Sequence, residues 1–216
     1  MTATTALPSQ RRPLRIDWAL LAILLTGLAL RAAFISLPRM ARWDEASYLT
    51  IAHSLLAGRG YSEIFGAPDV HQPPMVSLLG AAGLALRLPL TQAAAIPSHL
   101  VLGSLVVLPL YALGQAVYDR RTGLLAALLG ALYPALAVSP LYWGTLTEPP
   151  YVLFILTGIF AAYRCAQGLN GAAAPWGWAA LMGAAFGAGY LTRPESVLFL
   201  AIMLGYLGLI WLFGGP

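Results

Sequence analysis

Apolar runs long enough to cross a bilayer recur along this chain, and they constrain its fold more than any motif does. A helix needs about 20 mostly apolar residues to span a hydrocarbon core of roughly 30 Å. The segments 18–37, 94–118, 123–143, 150–163, 176–191 and 196–213 read as spans. Composition argues against the soluble alternative. Hydrophobic residues make up 59% of the chain and charged ones 9%, against about 25% charged in an average soluble domain. So few charges cannot cover a water-facing surface, and a surface facing lipid does not need them. The expected fold class is therefore all-α: a polytopic transmembrane helix bundle of about six spans, with two amphipathic interfacial helices in its first outer loop.

The net charge of +4 comes from arginine; the sequence holds no lysine. These arginines are dispersed near helix ends, as the positive-inside rule produces, and do not form the basic stripe of a nucleic-acid binder. No nucleic-acid partner is expected. Cys165 is the only cysteine, so there is no intrachain disulfide and no cysteine-rich metal site, and the residue reads as a small packing group. Arg11, Arg12 and Arg15 precede the first apolar run as they would in a signal peptide. The run continues to Pro38 without a convincing cleavage site, and so reads as an uncleaved first span.

One apolar segment, 75–86, is only about a dozen residues long, which suits an interfacial or buried helix better than a span. Charge placement agrees. If this segment does not cross, Arg11, Arg12, Arg15, Arg120, Arg121 and Arg164 all fall on the cytoplasmic side. The expected topology has a cytoplasmic N-terminus and a long first extracytoplasmic loop, 39–93. That loop shares the outer face with the turns at 146–149 and 193–195. Most acidic residues gather on or near that face, with His53, His71 and His99.

Within the loop, residues 44–58 have the spacing of an amphipathic helix. Tyr48, Leu49, Ala52, Leu55 and Leu56 lie on one face, Ser47, Thr50 and Ser54 on the other, and Gly58 and Gly60 stop it. Such a helix lies along a membrane surface. After His71-Gln72, Pro73 and Pro74 suit the first turn of a second surface helix. Asp44 and Glu45 diverge by about 100° on a helix, so one faces a site and the other faces solvent or a neighbouring helix. Read alone, Asp44 equally suits an N-cap.

Taken together, Arg42-Trp43-Asp44-Glu45-Ala46-Ser47-Tyr48, then Ala52 and Leu55, then Gly58-Arg59-Gly60-Tyr61 resemble the first outer loop of the GT-C glycosyltransferases. The nearest group is that of the protein O-mannosyltransferases and aminoarabinose transferases, including bacterial dolichyl-phosphate-mannose mannosyltransferase-like proteins. His71-Gln72-Pro73-Pro74-Met75 resembles the family's His-Pro-Pro-Leu type segment, with Gln72 as an extra residue. Thr147-Glu148-Pro149 resembles its acidic turn, and Leu191-Thr192-Arg193-Pro194 its basic turn. The resemblance runs from about Trp18 to the end, so that 1–216 reads as the N-terminal transmembrane portion of such an enzyme. It would sit in a bacterial inner membrane with its active face outside.

The resemblance implies a transferase that moves a sugar from a polyprenyl-phosphate donor to a lipid, glycan or protein acceptor, in cell-envelope glycan, lipid or protein glycosylation. It implies Asp44 as catalytic base, with Glu45 supporting the site by pairing with Arg42 or a span-end arginine. Glu148 is the second acidic position of the catalytic set. Arg193 matches the basic residue near the donor phosphate. Arg31, two turns before the outer end of the first span, and His71 join it as candidate phosphate ligands. Arg31 could pair with Asp44 or Glu148, or snorkel to the interface. Helix-start acids and interfacial anchors are the plainer readings of Glu148 and Arg193. No cofactor is implied, and a divalent metal at His71 lacks a ligand-spaced companion. Tyr61, Tyr142, Trp143, Trp176 and Trp211 suit an aromatic belt among membrane lipids.

Two other functions stay open. A small-molecule transporter would place polar residues at mid-membrane depth or show inverted repeats. A noncatalytic lipid-carrier-binding accessory subunit would use the same arginine without needing Asp44. The chain is short for the family, stopping at Gly214-Gly215-Pro216 soon after the sixth expected span.

Overall fold

The computed structural model describes residues 16–42, 44–63, 66–69, 71–169 and 175–213. Arg11, Arg12, Arg15, Trp43 and Gly214-Gly215-Pro216 lie outside them. The described residues form an all-α bundle without a strand. Helix α1 is Trp18–Ser36, α2 Asp44–Leu56 and α3 Pro74–Ala85. The long helix α4 runs Leu90–Val117 and is π-helical over Ile96–Leu102, around Pro97. There follow α5 (Arg120–Leu132), α6 (Pro134–Ala137), α7 (Ser139–Trp143), α8 (Glu148–Leu169), α9 (Trp176–Thr192) and α10 (Ser196–Phe213).

Four of these, α1, α4, α8 and α10, are long and apolar enough to cross a membrane. The other two expected spans differ from that standard for physical reasons. Helix α9 has 17 residues, about 26 Å at 1.5 Å per residue. The 123–143 segment is not one helix, because Pro134 and Pro140 each lack the N–H that would continue it. It becomes α5 followed by two short pieces. Helix α3, at 12 residues, reaches about 18 Å and is too short to cross.

One end of the bundle is tied by Asp17. Its carboxylate caps α1 by accepting from the Ala19 and Leu20 amides, accepts from Arg120 at 2.8 and 2.9 Å, and accepts from the Tyr111 hydroxyl at 2.9 Å. The start of α1 therefore lies beside the turn between α4 and α5. Arg164, over the Trp178 ring at 5.3 Å, joins the end of α8 to the start of α9.

Helices α8, α9 and α10 pack around Ile155, Met182 and Phe186. The Phe186 ring lies against Gly158, where a Cβ would come within 2.8 Å of it. At the other end, α2 and α3 lie together over a core of Tyr48, Leu49, Val76, Ala93, Leu141 and Leu146.

The buried face of α2 differs from its expected one. Glu45, Ile51 and Ser54 are buried with Tyr48, Leu49 and Ala52, whereas Leu56 is half exposed. Glu45 and Ser54 can be buried because each has a partner. Arg39 grips Glu45, and Arg59 Nη2 donates to Ser54 Oγ at 3.2 Å. Tyr61 also departs from the aromatic-belt reading. Its hydroxyl donates inward to the Gln72 carbonyl at 2.8 Å and lies 3.4 Å from Ser77 Oγ.

Candidate functional site

The residues predicted to act together lie at the α2 end of the bundle, and local sequence explains each placement. Asp44 begins α2, with Glu45 N–H bonded back to the Arg42 carbonyl at 3.0 Å. Asp44 is exposed and Glu45 fully buried, the divergence required of adjacent helical side chains. Gly144 supports this start from below. Its φ is +72°, and any Cβ there would collide with the Arg42 carbonyl, so glycine suits it twice over. Glu148 opens α8 immediately before Pro149-Pro150, where an acid is favoured by the helix dipole. Arg193 precedes Pro194, which disfavours helical backbone for it. Its φ, ψ of −153°, 124° end α9 and turn its side chain out of the helix.

Arg193 Nη1 donates to Glu148 Oε1 at 3.2 Å, and its guanidinium lies 5.8 Å from the Tyr151 ring centre. The ion pair is half-buried, with side-chain exposures of 39% and 29%. Glu148 Oε2 is buried without a hydrogen-bond partner among the described residues, and Arg193 keeps donors unused by Glu148.

The group that joins these pieces is Tyr48, one turn after Asp44 and 3% exposed. Its phenol is pushed well above the ordinary tyrosine value. Burial is the main cause; the fields of Asp44, Tyr61 and Glu148 add to it, and that of Arg193 opposes it. The charges of Asp44 on α2, Glu148 on α8 and Arg193 after α9 all act on this one buried hydroxyl. Tyr48 was read from the sequence only as an apolar-face residue; its place four residues after Asp44 was the available signal.

Three other predicted residues lie elsewhere or are already engaged. Glu45 is held by a bidentate pair with the span-end residue Arg39, at 2.7 and 2.8 Å, and Arg39 also donates to the Thr91 carbonyl. This latch ties the end of α1 to α2 and α4. His71 is exposed. Its backbone N–H and that of Gln72 donate to Asp69 Oδ1 at 2.8 and 2.9 Å, which sets the turn into α3.

Arg31 pairs with no carboxylate among the described residues. It is fully buried and donates to the carbonyls of Gly27, Ala131 and Leu136 at 3.2, 3.4 and 3.4 Å. The Leu136 carbonyl is the one whose helical donor would be the N–H missing from Pro140. His99 acts beside it, its Nε2 lying 3.0 Å from the Ala137 carbonyl. His99, expected on or near the outer face, is fully buried. The two side chains satisfy backbone that the broken helix leaves unpaired in an environment without water.

The described residues hold no group of three His, Cys, Asp or Glu side chains placed for a metal ion. A family model described as dolichyl-phosphate-mannose-protein mannosyltransferase matches residues 71–212, which include Glu148 and Arg193 but not Asp44. Neither the curated proteins nor the solved structures searched give a match.

Proposed function

The chain belongs to the dolichyl-phosphate-mannose-protein mannosyltransferase family and is a glycosyltransferase of the GT-C type, and from that premise we propose that it moves a sugar from a polyprenyl-phosphate donor to an acceptor on the extracytoplasmic face. The observation that supports this reading best is the half-exposed Arg193–Glu148 pair, which leaves arginine donors and one carboxylate oxygen free, in a membrane bundle of this family. A donor whose lipid tail stays in the bilayer presents its phosphate and sugar at such an end.

In this reading Asp44 takes the proton from an acceptor hydroxyl as its oxygen attacks the anomeric carbon. The bond from that carbon to the phosphate oxygen breaks, and its electron pair leaves with the polyprenyl phosphate. Base assistance of this kind contributes about 10²–10⁴-fold in rate. Arg193 meets the charge growing on the leaving phosphate with a fixed cation. Glu148 holds Arg193 in place, and its free buried oxygen gives it a second contact to offer the acceptor. Arg31 is left out of the phosphate site because it is fully buried and both its terminal nitrogens donate to backbone carbonyls.

The decisive test supplies polyprenyl-phosphate sugars to membranes containing this chain and follows donor loss, beside Asp44→Asn. Turnover that Asp44→Asn abolishes is expected. Turnover indifferent to that change would remove Asp44 as the base. Carrier binding without turnover would favour an accessory role.

A further inference from the structure

A second basic site lies at the end of α1, and it shares no lining residue with the Asp44, Tyr48, Glu148 and Arg193 set. A cavity of about 320 Å³ is bounded by Pro38, Arg39, Met40, Arg42, Leu141 and Tyr142. Two guanidinium groups line it, and among the described residues one carboxylate, Glu45, pairs with Arg39. The cavity therefore carries excess positive charge. Arg39 has a side chain only 6% exposed, and its Nε is buried without a hydrogen-bond partner among the described residues. The Nε is shielded from the cavity, so Arg39 contributes its charge to the wall, while the exposed Arg42 is the guanidinium open to a ligand. The other walls are apolar. Tyr142 is held edge-on against Phe34 of α1, ring centres 6.5 Å apart, and Met40 is largely exposed. Pro38, Arg39, Met40 and Arg42 follow the end of α1, a helix long and apolar enough to cross a membrane.

We propose that this cavity binds the phosphodiester headgroup of an anionic phospholipid, with Arg42 on the phosphate, the charge of Arg39 behind it, and the first acyl carbons against Met40, Leu141 and Tyr142. The charge identifies an anion. The planar donor fork of arginine suits phosphate oxygens. The apolar walls favour a lipid over a free ion, which would leave them in contact with water. Bound there, the lipid braces the Arg39–Glu45 latch and hence the start of α2, two residues after Arg42.

The test uses the full chain in neutral detergent, with phosphatidylglycerol, phosphatidylcholine and inorganic phosphate as probes in native mass spectrometry. Phosphatidylglycerol should be retained over phosphatidylcholine, and inorganic phosphate should not displace it. Arg42→Gln should lower that retention about fivefold, near the loss of one basic residue's attraction to an anionic membrane. Arg42→Lys should recover most of it, and Arg193→Gln should leave it unchanged. Met40→Asp puts a repelling charge on an exposed wall without touching either arginine, and should also lower retention. Equal retention of the two lipids, or wild-type retention in both Arg42→Gln and Met40→Asp, would overturn the proposal. Displacement by inorganic phosphate would reduce the site to one for a free anion. Loss in Arg193→Gln alone would move the lipid to the candidate catalytic site.

Discussion

Arginines at two places in this molecule do opposite kinds of work. Around α1, Arg31 and Arg39 are buried and almost saturated, one by three carbonyls and the other by a carboxylate and a carbonyl. At the rim, Arg193 is 39% exposed and spends one contact on Glu148. The sequence puts Arg31 and Arg193 in one class, as cations near a membrane face. Burial separates them. A buried cation whose terminal nitrogens are committed to the protein holds the fold together. A half-exposed cation with spare donors can meet a substrate. The contrast can be broken by mutation, and the expected effects on stability are larger at the buried arginines than at the exposed ones.

The largest effect belongs to Glu45→Gln. Arg39 would keep its charge in a place where 6% of its side chain reaches the surface, and breaking one side of a buried pair costs about 3–5 kcal/mol. We expect the variant to be recovered poorly and to melt far below the wild type in detergent. A melting temperature within a degree of wild type would show that Arg39 finds water there, and that the latch is not structural.

Arg31→Met should come next. It removes a buried charge, which helps, but leaves the Ala131 and Leu136 carbonyls without donors, at about 1–3 kcal/mol each. The two carbonyls together cost about 2–6 kcal/mol, and the gain from removing the charge offsets part of it. The net loss should be read by thermal unfolding, with hydrogen exchange fastest in α6 and α7. Donor affinity in the protein that remains folded should be unchanged. Weakened donor binding at normal stability would return Arg31 to the phosphate site and erase the contrast.

Arg193→Gln tests the other side of it. Turnover should fall about 10²-fold, the scale on which one donor to a developing charge acts, while the melting temperature moves little. A half-exposed ion pair is worth at most about 1 kcal/mol. A large drop in stability with little change in turnover would make the rim pair one more latch.

The all-α bundle was legible because lipid exposure leaves a signal in composition, and run length marks most of the helices. The breaks were less legible. Pro134 and Pro140 were visible, but whether a proline kinks a span or ends it depends on what satisfies the freed carbonyls. Here the donors come from Arg31 and His99, more than thirty residues away in the chain. In the site, the divergence of Asp44 and Glu45 followed from helix geometry. Which of the two is buried did not, because it depends on Arg39. Tyr48 was hidden for a similar reason. A tyrosine on an apolar face reads as packing until the fold brings Glu148 and Arg193 to it.

If burial is what makes an arginine structural here, the Arg120 pair should matter least. Its side chain is 55% exposed, against 18% for Asp17. The carboxyl of Asp17 is nevertheless held far below the usual carboxylate range. The hydrogen bond from Arg120 is the main cause; partial burial opposes it, and the Tyr111 hydroxyl and the Leu20 amide add to the lowering. A depressed carboxyl contributes stability above its unfolded value, ordinarily near 3.8, and loses that contribution as pH falls through the lower folded value. From pH 7 to about 5 the contribution should be constant. Below about pH 4 it should fade, because the unfolded chain binds the proton and the folded one resists it. The melting temperature of Asp17→Asn should therefore sit slightly below wild type near neutrality, and the gap should narrow as the pH drops below 4. Taking the difference between the two proteins cancels the other carboxylates, which titrate in both. A gap that widens in acid would reverse the sign of this linkage. A gap as large as that of Glu45→Gln would mean that exposure does not rank these arginines at all.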